Sequence, residues 1–362
     1  MRAVSQQDGF TLVELLISTT ITLLALGGAV TTFKSALNIT DSGTQLSDSN
    51  QNLRVGTNLL VRDLMQAGRQ IPTGGIPIPS GVGSTPLNRP SPPGLAYTFD
   101  NINATALSAI TTGANMGPTI ENSTTDIVTI LMMDPLLPRL DMYAAGTVVP
   151  GNANPPIIAN DGASITVGNA TTWLTGDAAN GTSGLNIGDL VYFTNSQGST
   201  VQTVSRLSST AVFFDAQDWF NFNQPGAASG TITQLKPANG TYPQTSAFRL
   251  QMVTYYVDAT TVPGTPRLTR IQNHSSPQAL AGVVEDLDLS YDLVDAATNP
   301  TGVRSLPYVL NGLTYTASQI RKANLHVGVR SEQRSAQVND YIRNHVSTII
   351  SIRDLATLSR YR

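Results

Sequence analysis

Near the N-terminus, Gly9, Phe10 and Glu14 are the residues whose types and spacing could do chemistry. From Phe10 to Val30 the chain reads FTLVELLISTTITLLALGGAV, 21 residues in which Glu14 is the one charge. A carboxylate in such a run costs roughly 2.5 to 3.5 kcal/mol if it reaches the centre of a bilayer, so it needs a positive partner at its own depth. Cutting the chain after Gly9 would supply one. Phe10 would then carry a new α-amine, and on a helix beginning there Glu14 lies one turn on, on the same face. The pair could close within one chain or between neighbours, where each Glu14 would neutralise the Phe10 amine of the adjoining subunit and make lateral packing specific.

The element that must position these groups is a long helix. At ~1.5 Å per residue, residues 10–30 match the ~30 Å of a bilayer's hydrocarbon core, so one membrane span is expected. A secretory signal peptide cut near Ala25-Leu26-Gly27 is the rival. Against it, Arg2 and Asp8 cancel where a secretory leader is basic, and Glu14 interrupts the apolar region. Beyond the span, Leu53, Leu60, Leu64 and Ala67 recur at helical spacing, and Gly68 is placed to stop the helix before Pro72. Asp41-Ser42-Gly43 is expected to kink this stem, and Arg54 and Arg62 to lie on its solvated side.

Gly9-Phe10-Thr11-Leu12-Val13-Glu14 resembles the processing site of type IV prepilins and type II secretion pseudopilins. The resemblance implies a dedicated prepilin peptidase that cuts after Gly9, methylation of the Phe10 amine, and a role for Glu14 as the charge partner in assembly. It also implies storage in the inner membrane as a single-pass protein with its head in the periplasm. From there the subunit would pass into a fibre at the cell surface. No proline falls between Phe10 and Ile71 and the chain has no cysteine, two departures from major pilins that point to a minor subunit.

The remainder of the 362 residues is long enough to bury a core. Only 12% of the chain is charged, and without cysteine there is no disulfide, thiolate nucleophile or Cys-ligated zinc. The 23 residues from Pro72 to Gly94 hold seven Pro and five Gly, which predicts an extended surface loop. Strand-like runs follow at 126–132, 189–194, 200–206 and 211–215, the last three reading as a three-stranded meander. Further strands are expected at 248–257, 283–293, 323–329 and 346–352. The fold class is therefore α+β, a stem helix packed on a mainly antiparallel β head with a small β unit inserted. The expected divisions are a leader at 1–9, the stem at 10–70 with its span at 10–30, the loop and first head strands at 71–150, the inserted unit at 151–241, and the C-terminal β head at 242–362.

Candidate sites in the head are few. Glu285, Asp286, Asp288, Asp292 and Asp295 could suggest calcium, but Leu287, Leu289, Tyr291 and Leu293 alternate with them, which predicts the solvated face of a half-buried strand. His274, His326 and His345 lie in different segments with no metal-binding spacing, so no metal or other cofactor is expected. No nucleophile elbow, P-loop or dinucleotide fingerprint occurs, and no enzymatic activity is expected. A Ser-His pair or converging acids in a head pocket would favour a rival reading, a membrane-anchored hydrolase. From Arg321 to Arg362 eight Lys/Arg face three Asp/Glu, a tail of +5 against −8 for the rest of a chain whose net charge is −3. The tail's Arg321, Lys322, Arg330, Arg334, Arg343, Arg353, Arg360 and Arg362 could contact DNA phosphates if they share a face.

Over the last third, TYYVD, PRLTR, GVVEDLDLSYDLVD, ANLHVGVRS and ISIRDLA in that order resemble large PilW-type minor pilins and J-type pseudopilins. The function implied is a non-enzymatic minor pilin that initiates or caps a type IV pilus; the alternatives are a secretion pseudopilin or a tip adhesin or DNA receptor. Expected partners are the prepilin peptidase, other minor and major pilins, the inner-membrane assembly platform and the membrane itself through residues 10–30, with DNA or a surface ligand at the head.

Overall fold

The computed structural model describes residues 11–91, 97–99, 105–238, 240–295, 297–335 and 339–352. The chain divides into two compact units, residues 1–51 with 330–344, and residues 52–329 with 345–362. One α-helix, Leu12–Met65, contributes to both.

In the first unit the helix runs unbroken through Asp41, Ser42 and Gly43, so the expected kink does not interrupt it. Exposed glycine weakens a helix by only about 1 kcal/mol, too little to break one held by long flanking turns. Apolar side chains from Leu12 to Phe33 stand exposed on every face, the pattern of a helix whose solvent is lipid. The stretch is long and apolar enough to cross a membrane. Its hydroxyls fold back on the helix: Thr19 and Thr20 donate to the Leu16 carbonyl at 3.0 and 2.8 Å, and Thr22 to that of Ser18 at 2.7 Å. Polar side chains therefore enter the span already satisfied. Farther on, Ser42 and Ser335 share a hydroxyl hydrogen bond of 2.8 Å, and Asn344 donates to Asn50.

The second unit is a mainly antiparallel β head. Its central strand, Thr245–Asp258, is long enough to take two partners on each edge. Residues 250–255 pair with Val128–Met133 and 245–247 with Leu140–Ala144 on one side. On the other, 246–250 pair with Leu190–Asn195 and 253–258 with Arg267–Gln272. The order then continues through Gln278–Leu293 to residues 320–329. The final turns of the long helix pack here. Leu53, Leu60, Leu64 and Ala67 are all buried, against Val284, Leu287, Leu289 and Tyr291 among others. Arg54 and Arg62 are exposed, as their positions predict. Gly56 permits the approach, since a Cβ there would come within 2.8 Å of the Ala281 Cβ. Asp63 fixes it. Its Oδ2 accepts from the Tyr255 hydroxyl at 2.7 Å and from Arg270 Nε at 2.9 Å, all three side chains being buried or nearly so. Burial, and then the Asp63 charge, push the Tyr255 hydroxyl far above its ordinary value. The helix ends at Met65, and the turn that follows it reverses at Gly68, whose φ of +80° suits glycine and whose N–H donates to the Leu131 carbonyl at 2.9 Å.

Two further expectations require correction. The Pro/Gly-rich segment is not confined to the surface: Ile76–Pro77 pairs with Ala106–Leu107, Asn88–Arg89 with Tyr97–Thr98, and Ile76, Ile78, Leu87 and Arg89 are buried. Proline blocks long strands but permits two-residue pairings, and each ladder here is that short. Nor do residues 189–215 form a meander. Leu190–Asn195 and Gly198–Thr203 make one hairpin, while Arg206–Leu207 and Ala211–Phe213 make another that joins Ser164–Thr166. Most of a separate core, including Trp173, Phe193 and Phe214, comes from residues 151–241, together with Leu137, Leu140, Met142, Tyr242 and Ala247 from outside that range.

Candidate functional site

Gly9 and Phe10 lie outside the described residues. Glu14 sits in the first turn of the long helix, and its surroundings reveal a role that its charge alone does not suggest. The N–H and hydroxyl of Thr11 donate to Glu14 Oε2 at 3.0 and 2.9 Å, and the Glu14 N–H donates to Thr11 Oγ1 at 3.3 Å. This reciprocal capping box satisfies helix-terminal N–H groups that nothing else in the helix can reach. The spacing Thr-x-x-Glu at 11–14 carries that signal in the sequence. Glu14 thus has neutral donors within its own chain, which orient the carboxylate while leaving its charge to be neutralised by a cation.

In the head, the alternation of acids with Leu287, Leu289, Tyr291 and Leu293 holds, but the acids are half-buried and engaged rather than simply solvated. Arg304 donates to Asp288 at 2.6 Å and to buried Asp126 at 2.8 Å. Asp292 accepts from Asn324 and from the Gly302 N–H, and Asp295 from three successive backbone N–H groups and the Tyr315 hydroxyl. Those contacts hold Asp295 far below the usual carboxylate range, the Tyr315 hydrogen bond contributing most. Among the described residues no cluster of three or more His, Asp or Glu side chains is arranged to hold a metal.

Strand pairing brings together two histidines that the sequence separates. The rings of His326 and His345 lie 5.5 Å apart, and His326 Nδ1 is 2.8 Å from Ser347 Oγ, with Asp286 Oδ2 3.7 Å from Nε2. Serine, histidine and aspartate in this order invite comparison with a hydrolytic triad. The His–Asp distance is too long for the hydrogen bond that would fix the imidazole. Ser347 lies on an extended strand, not on a sharp turn into a helix, where backbone N–H groups would point at a developing oxyanion. Burial, and then the neighbouring Asp288 charge, raise the Asp286 carboxyl above its ordinary value, the opposite of what a triad aspartate needs.

The basic tail is partly gathered. Arg330, Arg334 and Arg343 surround the Tyr341 ring at 3.8, 5.4 and 5.9 Å, with Asp340 paired to Arg343 at 3.1 Å. The hairpin folds Tyr341 among these arginines. Arg321 is exposed and Lys322 half-buried, on the strand leading to that hairpin. Arg353, Arg360 and Arg362 lie outside the described residues.

No curated protein and no solved structure matches the chain. A family model described as the prokaryotic N-terminal methylation motif matches residues 4–30, which contain Gly9, Phe10 and Glu14. That match supports a type IV pilin-like protein, and it overlaps a helix long and apolar enough to cross a membrane.

Proposed function

We propose that this protein is a minor pilin, a non-enzymatic structural subunit that is cut after Gly9 and helps to initiate or cap a type IV pilus. The observation that carries the reading is the coincidence of the methylation motif at 4–30 with the unburied apolar start of the Leu12–Met65 helix. In this account the helix first holds the subunit in the inner membrane with the head, including a β unit inserted at 151–241, in the periplasm. It then packs among the helices of other minor and major pilins once the assembly platform extracts it. Phe10, freed and methylated, presents a cation to the Glu14 of a neighbour. An unpaired charge in such a bundle costs several kcal/mol, so the pairing selects one stagger.

Mass spectrometry of the membrane-extracted protein should find a chain beginning at N-methylated Phe10, and Gly9→Val should retain the leader. Glu14→Gln separates the two roles of the glutamate, because an amide oxygen still accepts from Thr11 but cannot neutralise an amine. Its cleavage should be normal and its recovery in sheared fibres lost. A leader cut near Gly27 would refute the processing step, and normal incorporation of Glu14→Gln would refute the charge pairing. Recovery in a secretion pseudopilus instead of a pilus would select the pseudopilin alternative.

The arginines around Tyr341 favour a second reading, a DNA receptor at the fibre surface. Duplex DNA should then bind with a steep salt dependence that Arg334→Ala lowers by roughly one unit of slope. Absence of binding by the unaltered protein at low salt would discard that reading.

A further inference from the structure

The head holds an open cleft of ≈ 420 Å³ lined by Asn186, Ile187, Asp189, Gln251, Gln272 and His274, among others. Its size lies within the ~300–1,000 Å³ of small-molecule sites. Beside it, the indole of Trp219 stacks on the His274 ring with centroids 4.1 Å apart and planes 12° from parallel. Trp219 is nonetheless 56% exposed. Of the chain's two tryptophans, the other, Trp173, is wholly buried.

This exposed stack is rigidly framed. Asp218 accepts from the backbone N–H groups of Phe220, Phe222 and Asn223 at 3.1, 3.2 and 2.8 Å, closing the turn that carries Trp219. Gln217 and Asn221 in that turn adopt φ of +65° and +60°. On the facing turn Asn273, at φ +48°, donates to Asp189 at 3.0 Å and to the Leu250 carbonyl at 3.2 Å, and accepts from the Met252 N–H at 2.9 Å. Gly188 lets that turn close in, because a Cβ there would lie 2.4 Å from the His274 Cβ. Three non-glycine residues with positive φ hold two aromatic rings partly in water. Such strain is retained where surrounding structure fixes it and concentrates at binding sites.

The lining narrows the class of ligand. Arg249 is the one cation in the cleft, and its donors are consumed by Asp134 and by the Ser183 and Gly184 carbonyls at 2.7 and 3.0 Å. Burial pushes the His274 imidazole below its ordinary value, favouring the neutral ring. Phosphate, sulfate or a carboxylated sugar would therefore meet no available positive charge, and Asp189 would repel it. What remains are amide and carboxylate groups that bond hydroxyls, interspersed with exposed Leu136 and Ile187 and next to an aromatic face. The indole N–H makes no hydrogen bond among the described residues and is available as a donor.

We infer that this cleft and the Trp219–His274 stack bind a neutral oligosaccharide, its C–H face against the aromatic rings and its hydroxyls on Asn186, Asp189, Gln251 and Gln272. The inference is independent of the pilin reading, since it rests on the head alone. The test uses the full chain in micelles of an amine-oxide detergent, which has no sugar headgroup, titrated with chitotriose, cellotriose, maltotriose and mannotriose. At least one of these should change tryptophan emission saturably. By calorimetry, Trp219→Ala should weaken that binding about tenfold or more, Gln272→Ala about threefold, and Trp219→Phe should restore most of it. Failure of all four sugars to bind, or binding indifferent to Trp219→Ala, would overturn the inference. Preferential binding of sialyllactose or oligothymidylate would overturn the assignment to neutral saccharides.

Discussion

In the first half of the long helix, polar groups find partners within four residues: Thr11 with Glu14, Thr19 and Thr20 with Leu16, Thr22 with Ser18. In the head, the decisive pairings span the chain. Tyr255 and Asp63 are 192 residues apart, Leu289 and Asp126 163, Arg249 and Asp134 115. The difference follows from the solvent each region is built for. A segment destined for lipid has to satisfy its own backbone and hydroxyls before any neighbour arrives. A β head in water can leave its buried polar groups to be completed by strands that pair late, at the cost of making each group depend on the whole fold.

That contrast can be broken from either side. The largest effect is expected at Asp134→Ala, which leaves the Arg249 charge buried without its carboxylate. A loss of about 3–5 kcal/mol in head stability is expected, read as a lowered denaturant midpoint of the strand signal with helix content unchanged. Next comes Gly56→Leu, where even the Cβ would press on Ala281; a cost of about 1–3 kcal/mol should appear, while Gly43→Leu, which meets nothing within 4 Å, should cost nothing and gain up to about 1 kcal/mol of helix stability.

Asp286→Asn should act in the opposite direction. One oxygen of Asp286 is buried without a hydrogen bond, and its carboxyl is raised above the ordinary 3.8, first by burial and then by Asp288. Because the folded value is the higher one, its contribution to stability is present below pH 3.8 and is lost as pH rises through the folded value. The variant should therefore gain on the unaltered protein across that window and be more stable at pH 7 by less than about 1 kcal/mol. The smallest effect is expected at Thr20→Val, within about 0.5 kcal/mol, since its hydroxyl serves only the Leu16 carbonyl. A loss of head stability above ~1 kcal/mol there would show that the helix and the head are not satisfied separately.

The same contrast explains what could be read without coordinates. The apolar helix and its buried face Leu53, Leu60, Leu64 and Ala67 are local or periodic features, and they stand as their spacing predicts. The long strands of the last third were legible for the same reason. The routing of residues 189–215 into two hairpins was not, because the partner strand Ser164–Thr166 carries no periodic signal in three residues. Buried Arg89 was hidden inside a proline-rich segment, where composition says surface and only tertiary contact says otherwise. The His326–Ser347 contact and the Trp219–His274 stack join residues 21 and 55 positions apart, and no spacing rule connects them.

The knot at Asp63 has a mechanical consequence. A head pulled through its helix receives the load at the last turns, where one carboxylate grips both Tyr255 on the central strand and Arg270 on its neighbour. Tension entering there is divided between two adjacent strands instead of peeling one from the sheet edge. Separating the helix end from the sheet there requires both bonds to break, so the junction should resist shear better than an attachment to one strand.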